Sequence, residues 1–126
     1  MQVEHVDFVS VLTQDLPRAK RFYTETLGLE VETEGDADME LRCGQVTLDV
    51  FDPSSIGQAF APSPAGIALR VEDVDATRAE LEAKGVVFDG ETIVTNVCKQ
   101  AWFKDPDGNA LMLHRRFAPF PDGREP

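Results

Sequence analysis

Residues 3–11, VEHVDFVSV, alternate apolar and polar side chains with a period of two, the pattern of a half-buried strand. Leu16, Ala19, Phe22, Tyr23 and Leu27 then recur at helical spacing and make one apolar stripe. Asp15 ahead of them predicts an N-cap, Pro17 sits in the first turn where its missing N–H costs little, and Gly28 predicts the stop. Strand-like runs follow at 29–33, 39–43 and 46–51, and Gly44-Gln45 joins the last two as a hairpin. The second half repeats the order. Residues 67–71 read as a strand, Asp73 caps a helix carrying Val74, Thr77 and Leu81, and Gly85 ends it. Strands are expected at 86–88, 97–103 and 110–114, with Asp105-Pro106-Asp107-Gly108 as the turn before the last. Asp15 to Gly28 and Asp73 to Gly85 differ in span by a single residue, so one βαβββ unit is written twice.

The expected fold is α+β, a single domain over 1–126 made of two tandem βαβββ modules. Module one takes about 1–52, a Pro/Ser/Gly-rich connector 53–65, module two 66–116 and a tail 117–126 that continues neither helix nor strand. Each helix stripe covers one face of a sheet of about four strands, and two such sheets side by side make a curved cup. The period of two then sorts the side chains. His5, Asp7 and Val9 fall on one face of the first strand, Thr47, Asp49 and Phe51 on one face of the fourth, and Ala110, Met112 and His114 on one face of the last. These mixed sets suit a ligand cup, and the all-aliphatic sets opposite them suit the helix-covered side.

Composition narrows the partners. With 126 residues, 42% hydrophobic and 28% charged, the chain is long enough for a real core. A net charge of −11 argues against nucleic acid, whose phosphates need a basic surface. No apolar run approaches the roughly 20 residues of a membrane span. The alternating, acid-bearing N-terminus reads as a strand and not as a signal peptide, so a cytoplasmic location is expected, where Cys43 and Cys98 stay reduced.

Three stretches carry a family resemblance: EHVDFVSVLTQDLPRAKRFYTETLGLEV, GIALRVEDVDATRAELEAKGV and FKDPDGNALMLH. In that order, over nearly the whole chain, they resemble the vicinal oxygen chelate superfamily, which includes glyoxalase I, extradiol dioxygenases, fosfomycin-resistance enzymes and bleomycin-binding resistance proteins. The resemblance implies a cupped, glyoxalase-like sheet, a homodimer and, in the metal-dependent members, four ligand positions. Carried onto this chain, those positions fall on His5, near Asp49, near Gly66 and on Met112. A glycine and a thioether are not ligands for a hard cation, so His5 and Asp49 alone remain as metal candidates and no cofactor is expected.

Several residues keep two readings. His114 shares a face with Met112 and reads as a wall residue, a proton-transfer group or a displaced ligand. His5, with or without a metal, donates a hydrogen bond to a ligand or takes part in catalysis. Asp49 is a cup carboxylate or points to water, Asp7 stands as a further ligand contact, and Trp102 stacks on a planar ligand or belongs to the core. Arg42 and Arg70 lie on strands, where a guanidinium facing the cup could clamp a carboxylate or simply occupy a solvated edge position. Cys98 reads as a small buried hydrophobe rather than a nucleophile, because Lys99 points to the opposite face.

The function expected is binding of a small organic molecule by a glyoxalase- or dioxygenase-like relative without the standard metal site. One alternative is a ligand-sequestering protein of the bleomycin-resistance type. The other is a metal-dependent lyase or dioxygenase that keeps an ion through His5, Asp49 and a rearranged third ligand, His114 or Asp7.

Overall fold

Asp15 stands in extended backbone and accepts a hydrogen bond from the N–H of Arg18, so α1 (Leu16–Arg21) begins at the expected cap. The helix continues as a π-turn over Phe22–Thr26, and Gly28, at φ 75°, releases the chain. The second module repeats the device. Asp73 accepts from the N–H of Ala76 to start α2 (Val74–Ala83), and Gly85, at φ 95°, follows its end. The computed structural model describes residues 1–126 and divides them into two compact units, one of 1–63 with 105–109 and the other of 64–104 with 110–126.

The first unit holds β1 (Phe8–Leu12), β2 (Glu30–Glu34), β3 (Asp38–Cys43) and β4 (Val46–Phe51). They form an open mixed sheet in the order β1-β4-β3-β2, with β1 parallel to β4 and the other pairs antiparallel. Met39, Leu41, Leu48, Val50 and Val11 line its core face and are buried with Ala19 and Tyr23. Each large apolar side chain removed from water there contributes about 1.5–3 kcal/mol. The second unit holds β5 (Ile67–Arg70), β6 (Ile93–Val94), β7 (Cys98–Lys104) and β8 (Ala110–Arg116), in the matching order β5-β8-β7-β6. Ala101, Phe103, Leu111 and Leu113 are buried with Val74 and Leu81. No helix is long and apolar enough to cross a membrane.

Two strand expectations are corrected. β1 begins at Phe8 rather than residue 3, because its partner β4 begins at Val46 and offers nothing to pair with residues 1–6. Its faces are exchanged as well. Ser10 stands beside Asp49 on the open side and Val11 is buried on the core side, so Val9 belongs with the core set and His5 and Asp7 lie before the strand. The run 86–88 forms no strand. Val86 donates to the carbonyl of Leu81 as part of the helix exit, Phe88 makes one isolated bridge to Phe103, and regular pairing resumes only at Ile93.

Asp105-Pro106-Asp107-Gly108 closes a turn as expected, with the Gly108 N–H donating to the Asp105 carbonyl at 3.0 Å. It also anchors the first unit. The Asp105 carboxylate accepts from the Tyr23 hydroxyl (2.7 Å), from Asn109 Nδ2 (2.8 Å) and from the N–H groups of Asn109 and Asp107. Asp107 accepts from the Thr13 hydroxyl, the Gln14 N–H and Arg18 Nη2. Burial and the neighbouring Asp105 charge raise the Tyr23 hydroxyl far above its usual range, so it remains a proton donor at every pH the fold meets.

Candidate functional site

On the open face of the first sheet, β1, β4 and β3 bring Ser10, Asp49 and Glu40 into one row and Leu12, Phe51 and Asp38 into the next. The row on the other side holds Phe8, Thr47 and Arg42, and Arg42 is held by Glu30 and Glu32, both at 3.3 Å. This face is acidic at its centre. Asp49 Oδ2 accepts from the Ser10 hydroxyl at 3.3 Å, while Oδ1 is buried with no N–H or hydroxyl donor. Burial, then the neighbouring Asp38 carboxyl, then the negative charge of Glu40 push the Asp49 carboxyl up to about 6, with Ser10 pulling the other way. The Asp49 carboxylate thus stands half-buried on the open face.

Asp49 has a pH consequence. The folded chain holds a proton there that the unfolded chain has lost once pH exceeds the ordinary value of 3.8. The stabilisation is therefore complete below pH about 4 and disappears as pH rises through about 6. Asp49→Asn, which keeps a neutral donor opposite Asp38, is expected to melt higher than the parent at pH 8 and to flatten the fall between pH 4 and 7. Parallel melting curves for the two proteins across that range would exclude this account.

His5 and Asp7 are not part of that face. His5 Nε2 meets Asp7 Oδ1 at 2.9 Å, both side chains are largely exposed, and an ion pair so solvated contributes little. The cross-strand neighbour of Asp49 is Ser10, five residues further along than His5. The structure thus separates the two residues expected to share a metal.

The second unit's open face is organised in rows. Trp102, Met112 and Ala68 form one; Gln100, His114 and Arg70 form the next; Cys98 and Arg116 form the third. The indole reaches across to Gly66 and lies so close that a Cβ added there would stand 2.3 Å from Trp102 Cζ3. Trp102 Nε1 donates to Gln100 Oε1 at 3.0 Å, and Gln100 Nε2 reaches the Cys98 sulfur at 3.6 Å. Hydrogen bonds from Thr95 and Gln100, aided by the Arg116 charge, lower the Cys98 thiol pKa, but the residue is buried, in keeping with a structural cysteine. Trp102, Met112 and His114 are all half-buried and are brought together.

Gln100, Ser10 and Asp38 were not singled out in the sequence. Gln100 could have been, since it lies two residues from Trp102 and so shares its face. Ser10 was hidden by the face exchange in β1, and Asp38 by its position at a strand end.

The positions assigned to a metal do not fit one. At Gly66 the space a ligand side chain would need is filled by the indole, and Met112 stands beside that indole as a thioether. Asp49 accepts from Ser10 and faces Asp38, and no group of three His, Cys, Asp or Glu side chains is placed to hold a metal ion. A separate depression of about 700 Å³ lies at the start of α2, but its Lys99 is paired with Asp75 at 2.7 Å and Asp73 caps the helix. That arrangement reads as structural.

Comparison with known proteins agrees with this architecture. The family model described as Glyoxalase/Bleomycin resistance protein/Dioxygenase superfamily matches residues 3–113. TnmS3, an antibiotic binding protein from Streptomyces sp. CB03234, is 32% identical, superposes with a TM-score of 0.76, and the match covers 92% of this chain and 98% of that one. The uncharacterized protein YetH of Bacillus subtilis (strain 168) is 26% identical over 117 residues, 88% of this chain and 98% of its own. A lactoylglutathione lyase from Agrobacterium tumefaciens shares the fold, with a TM-score of 0.76 at 21% identity over 90% of this chain and 95% of that one.

Proposed function

The chain belongs to the Glyoxalase/Bleomycin resistance protein/Dioxygenase superfamily, and from that premise we propose that it binds a small planar organic molecule stoichiometrically, without a divalent metal. The observation that carries this reading is Trp102. Its indole is fixed on Gly66 at one end and tied to Gln100 at the other, on a face that also offers Met112. A flat, immobilised π-surface beside a polarisable thioether favours stacking of a planar ligand at little entropic cost. The likeness to an antibiotic-binding protein supports a sequestering role.

Native mass spectrometry of freshly purified protein, with and without added planar aromatics, tests the reading. A ligand held one per chain and recovered unchanged is the expected result, and Trp102→Leu should release it. Turnover into product would favour the alternative, a lyase or dioxygenase in which His114, one row from the indole, moves a proton. Metal analysis should find far less than one zinc or manganese per chain. Stoichiometric metal that survives dialysis against a chelator and disappears in His5→Ala would overturn the metal-free part.

A homodimer is part of the proposal. β1 is an edge strand, and Val3, Val6 and Phe8 near it are 68%, 55% and 57% exposed. Sedimentation at micromolar concentration should give twice the chain mass, and a monomer would remove this element.

A further inference from the structure

We infer that residues 117–126 are a releasable strap: the segment closes the polar end of the second unit's open face, is latched to Arg70, and uncovers Cys98 when it lifts. The inference does not rest on the ligand reading of Trp102, whose indole is seated on Gly66, two rows from Arg70.

Charge is the first argument. The strands β5 (IALR), β7 (CKQAWFK) and β8 (ALMLHRR) contain no Asp or Glu, while Arg70 and Arg116 stand on their open face. The acids come from the tail. Pro126, the last residue, sets a carboxylate oxygen 3.0 Å from Arg70 Nη2, and Asp122 and Glu125 precede it. The tail thus carries the acids that the face beneath it lacks.

Fastening is the second. At the start of the strap the N–H groups of Phe117 and Ala118 both donate to the Val97 carbonyl, at 2.9 and 3.2 Å. Arg116 donates to the carbonyls of Ala118 and Pro119, at 2.8 and 3.0 Å. In the middle, the Phe120 N–H donates to the Arg124 carbonyl and closes a hook. The guanidiniums of Arg116 and Arg124 lie 4.3 and 4.6 Å from the centre of the Phe120 ring. Pro119 and Pro121 stiffen the backbone on either side of that ring. Residues 121–125 are exposed, and at the far end one hydrogen bond reaches an Arg70 that is itself exposed. A charge pair so solvated is weak, so opening begins at Arg70 and runs back to Phe120.

What lies beneath is the third. Cys98 follows Val97 in the chain and pairs with Arg116 across the sheet, so the fastenings at the start of the strap flank it, and it is 6% exposed. Hydrogen bonds from Thr95 and Gln100, with the Arg116 charge, favour its thiolate. A thiol in that state reacts once a reagent reaches it, which makes Cys98 the reporter of the strap.

The test is the rate of Cys98 alkylation by iodoacetamide, a small neutral reagent, followed by mass spectrometry of the Cys98 peptide so that Cys43 does not contribute. Deleting residues 120–126, which keeps both carbonyls that Arg116 uses, is expected to raise the rate by a factor of about ten or more. Arg70→Met should raise it severalfold with the tail present and change nothing with the tail deleted. Hydrogen exchange at the buried Ala101 and Leu113 should be the same in every form. Equal alkylation of the full and shortened chains overturns the strap, and a deletion effect that Arg70→Met does not share overturns the latch. Alkylation that speeds only in step with exchange in the core marks general loosening and overturns both.

Discussion

Asp105→Ala is expected to destabilise the protein by about 3–5 kcal/mol, the range for a buried charged acceptor stripped from several donors. The carboxylate is 5% exposed, and the two side chains that donate to it, Tyr23 and Asn109, are both 0% exposed. Its removal leaves a phenol, two backbone N–H groups and one N–H of the Asn109 amide without an acceptor, while the other amide N–H keeps the Leu12 carbonyl. At roughly 4 °C per kcal/mol for a chain of this size, the melting temperature should fall by about 15 °C. Asp105→Asn should do little better, because it turns an NH₂ toward groups that are themselves donors. Tyr23→Phe removes a single donor and should cost only about 1–2 kcal/mol. Thermal denaturation of the three variants gives the comparison. Equal losses for Tyr23→Phe and Asp105→Ala would show that the Tyr23 hydroxyl alone accounts for the stabilisation.

Gly66→Ala should have the second largest effect. The new methyl would stand 2.3 Å from Trp102 Cζ3 and 2.7 Å from Cη2, so the indole must leave its seat. Overpacking of this kind costs about 1–3 kcal/mol. The single tryptophan makes the movement visible, and its emission should shift to the red while aromatic ligands lose their platform. Gly66 has no positive φ to defend, so the clash, and not the backbone, is the cause. A double-mutant cycle separates the two: in a Trp102→Leu background, Gly66→Ala should cost little. An undiminished cost there would move the explanation to the backbone. The same contact leaves no room for a metal-ligating side chain at this position while the indole is in place.

What was legible in the sequence was local. Asp15 and Asp73 cap their helices through side-chain acceptors three residues ahead, and Gly28 and Gly85 take up positive φ just beyond the ends. The duplication followed from those marks, and β4 spans 46–51 as its alternation predicts. What depended on distant partners was not legible. The alternation of VEHVDFVSV continues past the point where β4 can pair with it, so the strand began too early and its faces were exchanged. DPDG announces a turn, but nothing near it announces Tyr23 as the partner of Asp105. The seat of Trp102 on Gly66 was not legible either, because it joins β7 to the residue just before β5, and those two strands are not neighbours in the sheet.

The clamp at Asp105–Asn109 has a consequence for synthesis. The first unit takes these five residues from far down the chain, so it cannot be completed when residue 63 leaves the ribosome. At about 5–20 residues per second, its buried tyrosine waits several seconds for an acceptor. During that interval the nascent half is a hydrophobic sheet without its last brace, the state in which a chaperone would find most to hold. The dependence runs one way: residues 1–63 cannot finish their unit without five residues of the second half, whereas every residue of the second unit lies within 64–126.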